Sequence, residues 1–314
     1  MRTPGPRLLE IAAAAVATPL VLAGCGPLGG GSGDEGTTVV ASFYPLAYVA
    51  ERVAGEHAEV VNLTSPGGEP HDAELNVRQT AELADADLVV YEKGMQPSVD
   101  DAVDQNGPDR VVEVTDVVEL EPADAEAHEG EAEEEHAAHA GSDVDLHFWL
   151  DPERMSTLAA EVERHLSEAD PGNAADYEAN LAALEEDLSG LDADYQEGLS
   201  ACEVDTVVVS HDAFGYLEKY GLHFEPIAGL SPDAEPSAAR LTGLADLVEQ
   251  EGVTVVFSET LASPALAETL ARDLGVETGV LDPIEGLSDA TADEDYLSLM
   301  RTNLDELRTA NRCQ

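Results

Sequence analysis

The feature that most constrains the fold is a repeated alternation of short β-branched runs with stretches of helical periodicity. Because alternating strands and helices build βα units, this rhythm predicts parallel sheets. Four of the runs lie in each half of the chain, so we expect an α/β protein with two βα lobes, each built on a mainly parallel sheet. The predicted strands are Thr38–Phe43, Ala58–Leu63, Asp87–Glu92, Asp109–Val114, Asp205–Ser210, Leu222–Ile227, Val253–Ser258 and Val276–Leu281.

A region without strand signals separates the two halves. Pro171 ends one predicted helix, and Ala174 to Leu199 then carries leucines at three-to-four spacing, typical of one long helix. At about 1.5 Å per residue such a helix would be about 39 Å long. We predict that residues 151–200 form a rigid helical linker between lobes at 37–150 and 201–314. The alternative is a surface helix of one larger domain.

The N-terminal segment has the pattern of an export signal. Two arginines precede the apolar run Ile11–Ala23, which is too short to span a bilayer. The residues Leu22–Cys25 are similar to a bacterial lipobox, in which Cys25 becomes lipidated, and an ordinary secretory signal is the alternative. We predict a lipoprotein signal peptide over 1–24, a flexible tether over 25–36, and a chain anchored at the outer face of the cytoplasmic membrane.

The cysteines other than Cys25 indicate the redox compartment, and the net charge limits the classes of partner. Without Cys25, the pair Cys202 and Cys313 remains, and in an oxidising compartment we expect a disulfide rather than two unpaired thiols. The formal net charge of −52 repels nucleic acid and attracts cations, so we expect no nucleic-acid partner. A salt-rich habitat or a compositional bias would give the same charge, which therefore does not by itself predict metal binding.

Four side chains with metal-binding chemistry stand near predicted strand or loop ends. Ligands of open α/β sheets bind beyond the carboxyl ends of the strands. His211 and Asp282 directly follow strands, His71 lies in the loop after the second strand, and His147 precedes the helix that Pro152 opens. Each alone is more often a capping or solvent-exposed residue. Together, three imidazoles and one carboxylate match the four-coordinate sites of Zn²⁺.

An acidic low-complexity segment, residues 122–143, contains three further histidines, His128, His136 and His139. Its composition offers too little apolar surface to offset the entropy of ordering it, so we predict a mobile loop. We interpret the three histidines as auxiliary sites that collect extra metal weakly. A purely solubilising acidic tract is an equal alternative.

Six motifs occur in one order across essentially the whole mature chain. Together they resemble the metal-binding lipoproteins of ABC importers, the zinc and manganese substrate-binding proteins related to the periplasmic zinc-uptake protein. The motifs are SFYPLAYVAERVAGE (Ser42–Glu56), GGEPHDAEL (Gly67–Leu75), ADLVVYEKG (Ala86–Gly94), DLHFWLDPE (Asp145–Glu153), VVSHDAFGYLEKYGL (Val208–Leu222) and LDPIEGL (Leu281–Leu287).

The resemblance implies the ligand set His71, His147, His211 and Asp282, with Glu69 or a water as alternatives to Asp282. Histidine at the third position favours zinc, because the manganese members typically have Glu there and oxygen ligands suit manganese. Acceptors such as Asp212 are expected to orient the imidazoles.

The function implied is that of a monomeric, extracytoplasmic solute-binding protein without catalytic activity. It would bind Zn²⁺ between its lobes as the transported ligand and deliver it to an ABC permease. The alternatives are a manganese-binding importer protein or an adhesin of the same family, and an exported zinc hydrolase. The chain contains no H-E-x-x-H or G-x-S-x-G motif that would favour the hydrolase.

Overall fold

Two four-stranded parallel sheets form the framework of the chain, of which the computed structural model describes Met1 and residues 36–123, 144–230, 232 and 234–314. The strand orders are β2-β1-β3-β4 and β6-β5-β7-β8, so both sheets are wound in the same way. The predicted α/β fold with two parallel-sheet lobes is confirmed. The strands are β1 Thr37–Ala41, β2 Ala58–Asn62, β3 Leu88–Tyr91, β4 Val111–Glu113, β5 Thr206–Val209, β6 His223–Pro226, β7 Val255–Ser258 and β8 Glu277–Val280.

The inner strands are apolar because helices cover both faces of each sheet. Every residue of β3 and of β5 is buried, as is usual for parallel sheets in α/β proteins. The edge strand β8, in contrast, is mostly exposed. All eight predicted strands are found, with small shifts at their ends.

The helices begin and end at residues with the expected capping chemistry. Asn76 and Asp295 each form a capping box at a helix start, and Gly252 and Gly275 end helices in the left-handed conformation. The α-helices are Tyr44–Ala54, Val77–Asp85, Pro97–Asn106, Val114–Val117, Pro152–Ala169, Ala174–Gly198, Ala238–Glu251, Ala265–Leu274 and Tyr296–Ala310, and 3-10 helices span Phe148–Leu150 and Gly215–Tyr220.

The long helix predicted from Ala174 is confirmed and runs to Gly198. One face of it is buried through Leu184, Leu188 and Leu191, which repeat at the spacing of one helical face. The largest cluster of buried apolar side chains includes this face and residues of both sheets. One apolar cluster therefore extends from the first sheet past the long helix to the second sheet, and the division at 37–150, 151–200 and 201–314 stays a prediction.

Cys202 and Cys313 form the predicted disulfide, across a sequence separation of 111 residues. Beside it, the backbone N–H groups of Glu203 and Val204 donate to the carbonyl oxygen of Asn311 at 3.0 and 3.2 Å. The bond therefore joins the end of the last helix to the chain entering β5.

Some predictions fall on residues outside the described ranges: the signal peptide, Cys25, and the auxiliary histidines His128, His136 and His139. At the borders of the acidic segment, Pro122 and Val144 form an antiparallel bridge, so the two ends of that segment are adjacent. Within the described ranges, no helix is both long enough and apolar enough to cross a membrane.

Candidate metal centre

Four side chains capable of binding a metal converge near the carboxyl ends of the strands. His71 lies in the loop after β2, His211 follows β5, and Glu285 follows β8, while His147 directly precedes the 3-10 helix Phe148–Leu150. One potential ligand atom of each lies within 4.8 Å of the others. The structure thus brings together the three histidines that the sequence predicted.

The three imidazole rings are packed close together in the interior. The ring centroids of His71 and His147 are 5.6 Å apart, those of His71 and His211 6.2 Å, and those of His147 and His211 5.3 Å. The side chains of His147 and His211 are 1% and 0% exposed, and that of His71 is 5% exposed. Three imidazoles this close to one another can bind one metal ion together.

The carboxylate of Glu285 faces all three rings. Its Oε1 atom lies 3.5 Å from Nε2 of His71, 3.5 Å from Nε2 of His147 and 3.4 Å from Nε2 of His211. These distances exceed those of good hydrogen bonds, and among the described residues neither carboxylate oxygen of Glu285 has a hydrogen-bond partner. The four atoms therefore face one another at distances suited to shared binding of one ion rather than to direct hydrogen bonds.

Two buried carboxylates hold the outer nitrogens of the rings. Nδ1 of His147 lies 2.8 Å from Oδ1 of Asp145, and Nδ1 of His211 lies 2.6 Å from Oε1 of Glu259. A carboxylate at Nδ1 keeps a proton there and leaves the Nε2 lone pair for a metal. Sequence reasoning had suggested Asp212 for this role, but Asp145 and Glu259 are the acceptors at these two rings.

The carboxylates around His147 and His211 favour the protonated form of these two rings, and the histidines favour the ionised form of Glu285. Burial opposes protonation of His147, but the hydrogen bond with Asp145 and the nearby Glu285 carboxylate outweigh it and raise the pKa of His147 to about 9. Burial likewise lowers the pKa of His211, yet the Glu259 and Glu285 carboxylates hold it well above its usual range. Although burial disfavours its charge, the neighbouring histidines hold the pKa of Glu285 well below the usual range. A bound cation would take the place of these protons.

The carboxylate that lies in the cluster belongs to Glu285, whereas the predicted ligand Asp282 lies outside the cluster. Oδ2 of Asp282 accepts a hydrogen bond from Oγ1 of Thr260 at 2.6 Å, and its Oδ1 accepts one from the backbone N–H of Ile284 at 2.8 Å. The sequence favours Asp282 because this residue directly follows a predicted strand. The backbone turn after β8 instead directs the second acid of LDPIEGL towards the histidines.

Glu69, the alternative fourth ligand, lies beside the cluster but is not among its four ligand residues. Its Oε1 accepts a hydrogen bond from the backbone N–H of His71 at 3.2 Å. Burial and the nearby Glu285 carboxylate raise the pKa of Glu69 to about 8. Glu69 therefore supports the loop that presents His71.

A second group of carboxylates, formed by Asp151, Glu153 and Asp192, surrounds the ammonium group of Lys219. The Nζ atom lies 2.7, 3.0 and 2.9 Å from their respective oxygens. Because the lysine ammonium already lies between these carboxylates, the group is a set of ion pairs between elements rather than a metal site.

Comparison with known proteins places this site in context. The family described as "Zinc-uptake complex component A periplasmic" (ZnuA) matches residues 39–310. The zinc-binding lipoprotein AdcA of Streptococcus pneumoniae is 38% identical over 282 residues, which cover 88% of this chain and 56% of AdcA. The chain thus spans little more than half the length of AdcA.

A second relative matches over most of its own length. The high-affinity zinc uptake system protein ZnuA of Bacillus subtilis is 34% identical over 278 residues, covering 86% of each chain. Among solved structures, the Zn(II)-bound ZnuA-like domain of S. pneumoniae AdcA has a TM-score of 0.73 and 35% identity, and the match covers 88% of this chain and 99% of that domain.

Proposed function

Because the chain belongs to the zinc-uptake complex component A family, we propose that it is the extracytoplasmic solute-binding protein of a zinc ABC importer. It captures Zn²⁺ with His71, His147, His211 and Glu285 and delivers the ion to a membrane permease. The ion is cargo, so the role requires no catalytic step. The zinc-uptake name of the B. subtilis relative and the Zn(II) in the related AdcA domain support this cargo.

The observation that carries the proposal is the spacing of the four ligand atoms. Zinc bound to histidine nitrogen and carboxylate oxygen at about 2.0 to 2.1 Å gives a tetrahedron whose edges are about 3.3 to 3.4 Å long. The three distances from Oε1 of Glu285 to the Nε2 atoms are 3.4 to 3.5 Å. Three nitrogens and one oxygen also suit zinc better than manganese, which favours oxygen ligands.

A site that fills its coordination sphere with protein atoms suits transport better than hydrolysis. Catalytic zinc keeps an open position for a water or substrate, whereas four protein ligands occupy all corners of a tetrahedron. The buried imidazoles and the 1% exposure of Glu285 leave the ion enclosed. The site is built to retain an ion until the protein rearranges.

The location and the partners follow from the N-terminal sequence and the family. Lipidation of Cys25 after removal of residues 1–24 would attach the protein to the outer face of the cytoplasmic membrane, with residues 25–36 as a tether. In this position a monomer can collect zinc and meet the permease in the same membrane.

A competition titration of the mature protein with Zn²⁺ and Mn²⁺, read by native mass spectrometry, tests the proposed cargo. We expect one zinc ion to be retained tightly in the presence of excess manganese, and His211→Ala to abolish this retention. His223→Ala is the matched control, because that side chain is 71% exposed and is not part of the cluster. Preferential retention of manganese, or tight zinc binding by His211→Ala, would contradict the proposal.

A further inference from the structure

The turn that presents Glu285 contains an unusual backbone conformation. Ile284 has a φ of 60°, in the left-handed region, and its side chain is fully buried. A β-branched residue is strongly disfavoured there, because its side chain crowds the backbone. Such a conformation persists only when its surroundings determine it more strongly than local preference does.

Buried hydrogen bonds hold the residues on the N-terminal side of Ile284. The backbone N–H of Asp282 donates to Oδ1 of Asn303 at 3.0 Å, and Nδ2 of Asn303 donates to the carbonyl oxygen of Asp282 at 2.6 Å. Nε1 of Trp149 donates to the carbonyl oxygen of Pro283 at 2.7 Å. The turn is thus fixed at both peptide groups that lead into Ile284.

The side chain of Asp282 completes this restraint. Its Oδ1 accepts the backbone N–H of Ile284 at 2.8 Å, and its Oδ2 is held by Oγ1 of Thr260 at 2.6 Å. The hydrogen bond to Ile284 acts directly on the strained residue. Without it, the backbone would relax towards negative φ, and the side chain of the next residue, Glu285, would turn away from the histidines.

We propose that Asp282 is a positioning residue, which holds Ile284 in its strained conformation and thereby fixes the carboxylate of Glu285 at the metal centre. The inference rests on the proposed zinc-binding function and adds a determinant of affinity and geometry that contacts no metal. Asn303 fixes the backbone of Asp282 and supports it in this role. A site whose fourth ligand is fixed favours a small tetrahedral ion over ions that need more ligands.

Zinc affinity, measured by competition with a chromophoric chelator, tests the role of Asp282. We expect Asp282→Ala to bind zinc about 10- to 100-fold more weakly, the range for residues that orient a metal ligand. Asp282→Asn should keep most of the affinity, because the amide oxygen can still accept the N–H of Ile284. Asp170→Ala is the matched control: it removes an aspartate that also accepts hydrogen bonds in a turn, and it should bind zinc normally.

The substitution Ile284→Gly distinguishes a positioning role of Asp282 from a general loss of stability. Glycine adopts positive φ without strain, so the affinity lost in Asp282→Ala should largely return in the double variant Asp282→Ala/Ile284→Gly. The absorption spectrum of bound Co²⁺ gives a second readout, and we expect the intense bands of tetrahedral cobalt to weaken in Asp282→Ala and to recover in the double variant.

Normal zinc affinity in Asp282→Ala, or a loss that glycine at 284 does not reverse, would overturn the inference. Should Asp282→Ala fail to fold, Thr260→Val removes one hydrogen bond to Asp282 at constant volume and is expected to weaken zinc binding in the same direction. Unchanged affinity in that variant would likewise overturn it. Failure of the wild-type protein to bind zinc would instead contradict the proposed function.

Discussion

Nδ1 of His211 and Oε1 of Glu259 lie 2.6 Å apart, with both side chains almost fully buried. The hydroxyl of Ser210 also donates to Oε1 of Glu259, so this carboxylate is fixed from two sides. Glu259 follows β7 and His211 follows β5, and the two strands are paired in one sheet. The sheet therefore sets the orientation of the imidazole before any metal arrives.

We expect Glu259→Gln to weaken zinc binding about 10- to 100-fold, because a neutral amide is a poorer acceptor for the Nδ1 proton and makes Nε2 a weaker donor to the metal. Chelator competition at fixed pH measures the change. Glu249→Gln alters an exposed glutamate of the neighbouring helix and serves as the control. Equal affinities in the two variants would show that Glu259 does not orient the ligand.

Zinc binding should release protons near neutral pH. The pKa of His147 is raised to about 9 and that of His211 well above its usual range, whereas a metal requires neutral imidazoles. Zinc affinity should therefore rise as the pH rises towards about 9, the raised pKa of His147, and zinc binding should release protons from both rings. Calorimetric titration in buffers of different ionisation enthalpy measures this release, and a heat independent of the buffer would contradict it.

The stability of the metal-free protein should fall as the pH rises, whereas zinc affinity rises. Protonated His147 stabilises the fold fully below its unfolded pKa of about 6.5, and this stabilisation is lost as the pH rises through about 9. The free energy of unfolding without metal should thus decrease across this range while zinc affinity increases.

Glu92→Gln should stabilise the protein at alkaline pH. Glu92 is 1% exposed, and its two carboxylate oxygens have no hydrogen-bond partner among the described residues. Burial, with repulsion from Asp145, Glu113 and Asp100, raises its pKa well above the usual range. The contribution of Glu92 to stability is therefore fully present below about pH 4.3, the pKa of a glutamate in the unfolded chain. This contribution is lost as the pH rises towards the higher pKa that Glu92 has in the folded protein.

Because glutamine cannot ionise, we expect the free energy of unfolding of Glu92→Gln to exceed that of the wild type by about 1 to 3 kcal/mol at pH 8. The difference should shrink as the pH falls towards 4. Urea unfolding of both proteins across this range measures it, with the exposed Glu59→Gln as the control. A difference that does not change with pH would refute the prediction.

Loss of the disulfide should lower stability without altering the metal centre. The chain-entropy model gives about 4 to 5 kcal/mol for closing a loop of this length, and Cys202 and Cys313 are not part of the ligand cluster. Urea unfolding of the double variant Cys202→Ser/Cys313→Ser measures the loss, and native mass spectrometry should still find one tightly bound zinc ion. Unchanged stability would show that the bond constrains the unfolded chain little.

Deletion of residues 124–142 should leave one tight site and remove the weaker ones. The bridge between Pro122 and Val144 holds the two ends of the segment together. A short linker can therefore replace residues 124–142 without disturbing Asp145 or His147. Native mass spectrometry of this variant, with and without His147→Ala, counts the ions bound. Loss of the tight site on deletion would show that the segment is part of it, and an unchanged count would favour a purely solubilising tract.

The strands and the convergence of the three histidines could be predicted because each depends on a local pattern. The β-branched runs mark buried strands, and strand ends indicate where ligands collect. Glu285 could not be separated from Asp282 in this way, since both lie in one short motif. The choice depends on the positive φ of Ile284, which nothing in a β-branched residue predicts.

The carboxylates at the outer ring nitrogens show a second limit of prediction from the sequence. Asp145 lies two residues before His147 and could have been proposed from spacing alone. Glu259 is 48 residues from His211 along the chain, and only the pairing of β5 with β7 brings the two together. Sequence reasoning finds partners that share a turn more readily than partners that share a sheet.

The distribution of the four ligands along the chain has a consequence for biosynthesis. His71 and His147 precede the long helix Ala174–Gly198, and His211 and Glu285 follow it. A chain that ends before Glu285 lacks at least one of the four, so we expect a nascent or truncated molecule to bind zinc more weakly than the whole chain.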